Sequence, residues 1–251
     1  MWKFLPFWRT QIADGDWSRA LACCAYARAL PKADRGRLRD LTAKFRAAKS
    51  FDGAGGFEPT PQVCAVIALK ACVPILRLGL NYYRGWSDIV IYPSDFRVHD
   101  EYVDRAGVVH RDARVLCGQS LSQGPMVLSW DAVAAADGTS DRDVVIHECA
   151  HKLDILNGAP NGFPPLHSNM SIQRWSRTFN DAYEQFTGAL ERQASTELDP
   201  YAATDPAEFF AVASETFFSE PTIIKDEFPS VYSELADFYR QDPLAALRAR
   251  P

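Results

Sequence analysis

Val144-Val145-Ile146-His147-Glu148-Cys149-Ala150-His151-Lys152-Leu153-Asp154 is the stretch on which the reading of this chain turns. It holds an H-E-x-x-H run inside an apolar segment that continues at Ile155 and Leu156. Residues four apart on an α-helix lie one above the other on the same face, so His147 and His151 can reach one metal ion. Glu148 falls about 100° further round the axis, beside such an ion rather than on it. That is the place for a general base acting on a metal-activated water. The bland alternative is a helix whose two histidines are satisfied by ordinary hydrogen bonds. Histidine is scarce, five in the whole chain, which weighs against a chance pairing.

A catalytic zinc takes three protein ligands and keeps a fourth position open. No Asp or Glu occurs from Ile155 to Asn180, so a third carboxylate about twenty residues past the second histidine is excluded. The longer H-E-x-x-H-x-x-G-x-x-H pattern also fails, with Asp154 and Asn157 in its Gly and His places. Asp154, one turn from His151 on the same helix, reads as support for a ligand. The remaining downstream carboxylates are Asp181, Glu184, Glu191, Glu197, Asp199, Asp205, Glu208, Glu215 and Glu220. Among them the segment Tyr201 to Phe218 stands out. Thr204 or Asp205 can cap a helix there, and Pro206 fits its first turn. Phe209, Phe210, Ala213 and Phe217 then share one apolar side, while Glu208, Ala211, Val212 and Glu215 share another. A carboxylate on a small, apolar strip is costly unless paired, and Ala211 lets a second helix approach. Glu208 is therefore chosen as third ligand and Glu215 as a carboxylate supporting a histidine N–H. On spacing alone, both could equally lie on a solvated face.

Further stretches extend the pattern: Phe45-Arg46-Ala47-Ala48-Lys49-Ser50-Phe51-Asp52-Gly53, Val90-Ile91-Tyr92-Pro93-Ser94-Asp95-Phe96 and Gly124-Pro125-Met126-Val127-Leu128-Ser129-Trp130. With His147 to Asp154 and Tyr201 to Phe218, they make the chain resemble the Mlc titration factor A family of zinc metallopeptidases over most of its length. The second of the two site runs is also similar to the catalytic domain of anthrax lethal factor, where the glutamate binds zinc beside a tyrosine seven residues earlier. The resemblance implies a zincin-like peptidase with one zinc per chain, held by His147, His151 and Glu208. It implies Glu148 as base and Tyr201 as a hydroxyl donor in the transition state; from its residues alone Tyr201 is an aromatic packed at a helix start. It implies an aminopeptidase acting on peptides, and a Mlc-like transcriptional repressor of sugar uptake as a partner. No Gly-x-Met-Glu-Asn run is present, so the exopeptidase preference rests on the resemblance alone. The rival reading is a regulatory factor that mainly sequesters the repressor, with peptidase activity secondary. A purely structural zinc site is disfavoured, because such sites close with four Cys or His ligands. Cys149 departs from the large apolar residue expected in relatives; it reads as a small hydrophobe, with a redox-sensitive thiol as the alternative.

Length and composition frame this. With 251 residues, 47% hydrophobic and 12% aromatic, the chain can bury a sizeable core. The expected fold class is α+β, mainly helical with a small mixed sheet and the H-E-x-x-H helix at the active site. One domain is expected over 1–251, with a helical section at 1–80 and the sheet, zinc helix and C-terminal helices at 86–251. The net charge of −5 without a basic stripe argues against direct nucleic-acid binding. Cys23, Cys24, Cys64, Cys72, Cys117 and Cys149 show no paired spacing and read as reduced thiols of a cytoplasmic protein. Met1 to Thr10 reads as a packed aromatic arm. Pro61 to Leu80 is apolar but broken by Lys70, Pro74 and Arg77; it reads as a buried helix pair rather than a membrane span. Helices are expected over Asp16–Ala29 and Asp34–Lys49, a loop over Asp52–Gly56 and a strand over Trp86–Tyr92. Short strands are expected at Val108–Val109 and Arg114–Leu116. Gly124–Trp130 reads as a strand that Pro125 demotes to an edge, able to pair with an extended peptide. Asn157–Pro165 reads as a loop and Leu247–Pro251 as frayed. His99, His110 and His167 read as ordinary histidines, His167 as a possible lining of the cleft.

Overall fold

The structure is a computed structural model that describes residues 11–103, 109–116, 118–120, 124–136 and 142–249. It begins with α1 (Asp14–Ala22) and α2 (Ala25–Ala29). The single helix expected over Asp16–Ala29 is broken at Cys24, whose extended backbone restarts the helix. α3 (Lys32–Ala48) follows Pro31 and buries Leu38, Thr42, Ala43 and Phe45. The spacing of these four residues gives the helix one buried stripe. β1 (Ser50–Gly53) takes in Asp52 and Gly53, so the expected loop starts only at Ala54. α4 (Pro61–Cys72) opens on two signals, Pro61 in its first turn and Thr60 Oγ1 accepting from Val63 N at 3.3 Å. Every residue from Ala65 to Cys72 is buried. The expected pair of helices is one helix followed by turns, because Pro74 cannot donate an N–H to continue it.

Five strands follow: β2 (Asp88–Tyr92), β3 (Phe96–Val103), β4 (Val109–Leu116), β5 (Gly118–Ser120) and β6 (Met126–Ser129). β3 and β4 form an antiparallel ribbon, so the residues expected in two short strands, from Val109 to Leu116, belong to one; Val108 lies outside the described residues. The other strands make a mixed sheet in the order β1-β2-β6-β5. β1, β2 and β6 run parallel, with α4 crossing between β1 and β2, and β5 runs antiparallel to β6. β6 is thus an interior strand, correcting the edge assignment. Pro125 sits just before its first residue, where its missing N–H removes no ladder bond. The outer strands are β1 and β5. Ile89 and Ile91 of β2, in register with Met126 and Leu128 of β6, are all fully buried. Their alternation turns one face of the sheet to the core.

The rest is helical: α5 (Trp130–Ala135), α6 (Val144–Asp154), α7 (Ile172–Glu191), α8 (Pro206–Ser219), α9 (Pro221–Glu227), α10 (Pro229–Tyr239) and α11 (Pro243–Arg248). A proline opens each of the last four, where its fixed φ suits the first turn. Of the residues expected to fray, Leu247 and Arg248 belong to α11, and Arg250 and Pro251 lie outside the described residues. Phe209 and Phe210 of α8 pack against Phe179 of α7, which stacks on Trp175 at 4.4 Å between ring centroids. Each such buried ring contributes roughly 1.5–3 kcal/mol. Among the described residues no helix is long and apolar enough to cross a membrane. Met1–Thr10 and Cys117 lie outside the described residues, as do the side chains of His99 and His110.

Candidate metal centre

Two capping aspartates set the helices that carry the site. Asp143 Oδ1 accepts from Val145 N at 3.2 Å and Ile146 N at 3.3 Å, which starts α6. Asp205 Oδ1 accepts from Ala207 N at 2.8 Å and Glu208 N at 2.9 Å, which starts α8. Caps of this kind contribute about 1 kcal/mol each. α6 packs directly on α8, and Ala150 and Ala211, one on each helix, are fully buried. His147 and His151, one turn apart on α6, thereby face Glu208 in the first turn of α8.

The three side chains converge. His147 Nε2 lies 3.2 Å from His151 Nε2 and 3.2 Å from Glu208 Oε2, and His151 Nε2 lies 3.3 Å from the same oxygen. They form a group able to hold a metal ion. A tetrahedral zinc with bonds of ~2.0–2.1 Å separates its ligand atoms by about 3.3 Å, so the spacing fits. Glu215 Oε2, also on α8, lies 3.1 Å from His147 Nδ1. That contact keeps the imidazole proton on Nδ1 and turns the Nε2 lone pair to the centre. Two lone pairs and a carboxylate oxygen so close together repel unless a cation or proton sits among them. Two imidazoles and one carboxylate suit zinc.

Glu148 is 4% exposed, and its Oε2 has no hydrogen-bond partner. Burial pushes its proton affinity up, against the opposing pull of His147 and His151. Burial also raises Glu208, but contacts to both histidines outweigh it and hold that carboxyl well below the usual range. Burial alone would lower His147, yet Glu208 and Glu215 hold its proton affinity well above the ordinary value. The cluster therefore strongly favours positive charge at its centre.

Tyr201 sits in a 3-10 turn (Pro200–Ala203) that Asp199 caps and Tyr183 ties down through Ala203 O at 3.0 Å. Its hydroxyl donates to Glu208 Oε1 at 3.3 Å. Burial and the Glu208 charge keep that hydroxyl protonated well beyond neutral pH.

All five site residues expected from the sequence thus meet at one place, with Glu215 behind His147. Asp154 does something else. It accepts from the backbone N–H groups of Asn161, Gly162 and Phe163, each at 2.8 Å, and so folds the loop after α6 rather than supporting a ligand. His167 Nε2 lies 2.8 Å from Phe238 O, which ties it to α10. Cys149 is fully buried and pushed up to about 12, burial being the main cause, which fits a packed thiol and not a reactive one. A cavity of about 720 Å³ lined by Tyr26, Arg77, Gln241 and others shares no residue with the cluster, so chemistry and not volume locates the site. Sequence reasoning passed over Asp143, although an Asp just before an apolar run is a recognisable cap signal.

A model of the family described as "Glucose-regulated metallo-peptidase M90" matches residues 6–240. The chain is similar to "Mlc titration factor A" of Klebsiella pneumoniae (strain 342), 38% identical over 94% of this chain and 89% of the relative. The protein of the same name from Cronobacter sakazakii is 37% identical over 99% and 94%, and that from Escherichia fergusonii 36% over 96% and 93%. With both kinds of match running over nearly its whole length, the chain belongs to the glucose-regulated metallo-peptidase M90 family.

Proposed function

We propose that the chain is a zincin-like zinc peptidase in which His147, His151 and Glu208 hold the ion, Glu148 is the general base and Tyr201 the oxyanion donor. The observation that carries this reading is Glu148 Oε2, buried without a partner beside three convergent ligand atoms. An orphaned buried carboxylate oxygen is costly and persists where a bound group uses it. A zinc ion in the cluster supplies a Lewis acid that acidifies water and polarises a carbonyl. Glu148 takes the proton as water attacks the scissile carbonyl and passes it to the leaving amine. The Tyr201 hydroxyl, protonated and exposed at the rim, turns from Glu208 to the developing oxyanion. β5, the edge strand antiparallel to β6, lies against α6 and offers its outer backbone to an extended peptide.

Glu148→Gln tests this. The amide fills the same space but cannot take a proton, so zinc content and fold should hold while peptide turnover falls ~10²–10⁴-fold. Turnover within a few-fold of the parent would remove Glu148 as the base.

The relatives' names favour a second reading more directly: a regulatory factor that sequesters a Mlc-like transcriptional repressor, with hydrolysis secondary. Glu148→Gln separates the two, since repressor binding survives it if sequestration does not depend on chemistry. The aminopeptidase preference rests on the family resemblance. The absence of disulfides among the described cysteines supports a cytoplasmic setting.

A further inference from the structure

Lys70 lies on α4, fully buried between Leu69 and Ala71. An ammonium in such a place is unfavourable unless its N–H groups all find acceptors. They do. Nζ lies 3.0 Å from Asp143 Oδ2, 3.4 Å from Val133 O, and donates to Ala136 O. Lys70 thus joins the middle of α4 to the end of α5 and the cap of α6. Asp143 uses its other carboxylate oxygen to cap α6, and its own backbone N–H donates to Glu215 Oε1. The second oxygen of Glu215 meets His147 Nδ1. The contacts run unbroken from Lys70 to the imidazole. Replacing a buried ion pair by apolar residues is often neutral or stabilising, so packing alone does not account for this pair.

We propose that Lys70 and Asp143 are positioning residues for the metal centre: from the core helix α4 they fix the start of α6 and, through Glu215, the orientation of His147. The proposal rests on the reading of His147, His151 and Glu208 as zinc ligands. Asp143 and Glu215 are neighbouring carboxylates, and Lys70 is the cation that pairs with the first while it caps. With Lys70 removed, the Asp143 carboxylate loses its buried partner and must turn toward solvent or tilt away from its cap. Either change disturbs the N–H that holds Glu215.

The test turns on sign. Lys70→Met removes a positive charge near the site, so through-space electrostatics alone would tighten zinc binding. Loss of positioning weakens it instead, by about tenfold, the low end of the effect of groups that orient a metal ligand. Zinc affinity is measured on the full chain by competition with a chromophoric chelator. The visible bands of the Co²⁺-substituted protein report ligand geometry. The expected result is weaker zinc binding and shifted Co²⁺ bands in Lys70→Met, both largely restored in Lys70→Met/Asp143→Asn, where the charges cancel and the cap acceptor remains. Affinity equal to or above the parent, with unchanged bands, overturns the proposal, as does a double variant no better than the single one. If Lys70→Met does not fold, Lys70→Gln, which keeps N–H donors, is read by the same signs. Glu208→Ala runs alongside. If it keeps zinc, the ligand assignment itself fails; if it loses zinc while Lys70→Met matches the parent, only the positioning role fails.

Discussion

Two glutamates seven residues apart on α8 touch the same imidazole, at different nitrogens. Glu208 Oε2 faces His147 Nε2 and His151 Nε2, whereas Glu215 Oε2 faces His147 Nδ1 and its other oxygen accepts from Asp143 N. Glu208→Ala should therefore abolish stoichiometric zinc, while Glu215→Ala should keep one zinc per chain at about 10–100-fold weaker affinity. Metal analysis after dialysis reads the difference, and a reversed order would exchange the two roles. Tyr201 has a separate test. Tyr201→Phe keeps the ring and removes the hydroxyl that reaches Glu208. Zinc affinity should hold while kcat falls ~10²-fold with little change in KM, because the bond matters in the transition state. Equal kcat in both forms would leave Tyr201 a packing residue. This scale was the most legible from sequence. His147, Glu148 and His151 follow from four-residue spacing alone, whereas Glu208 needed the apolar strip around it and Tyr201 needed a family likeness.

The elements were legible where local chemistry decides them. Asp205-Pro206 announced α8. Where pairing with another strand decides, the sequence was silent. Gly118-Gln119-Ser120 carries no strand propensity, yet it pairs with β6 and takes the edge that Pro125 had suggested for β6 itself. Cys24 breaks a helix with neither Gly nor Pro present, because its backbone is extended there. Asp154 looked like a partner for a ligand and proved to be the anchor of a loop. Its carboxylate holds three successive N–H groups, and the middle one, on Gly162, packs so closely on α8 that a Cβ would stand 2.6 Å from Pro206 O. Gly162 also has a φ of +76°, so glycine is required twice over. Asp154→Ala should cost roughly 1.5–3 kcal/mol of stability in urea unfolding while one zinc remains bound. Loss of zinc without loss of stability would return Asp154 to the support of a ligand.

At the scale of the whole molecule, stability depends on keeping buried groups neutral at high pH. Cys24 is buried and pushed up from 9.0 to about 11, by burial first and then by Asp143. A group that ionises later in the folded state contributes its full share of stability below pH 9.0, and that share drains away as pH rises toward about 11. The melting temperature should fall across that window, and Cys24→Ala should fall less steeply; parallel slopes would exclude this thiol as a source. The proposed ligands lie far apart in the chain. His151 and Glu208 are 57 positions apart, so a bound ion is also a cross-link that closes the loop between them. Cross-links of such span restrict the unfolded chain by roughly 4 kcal/mol in the entropic account. Zinc starvation would accordingly lower the stability of the folded chain, and a partner that recognises the joint surface of α6 and α8 would sense the metal supply even if no peptide were ever cut.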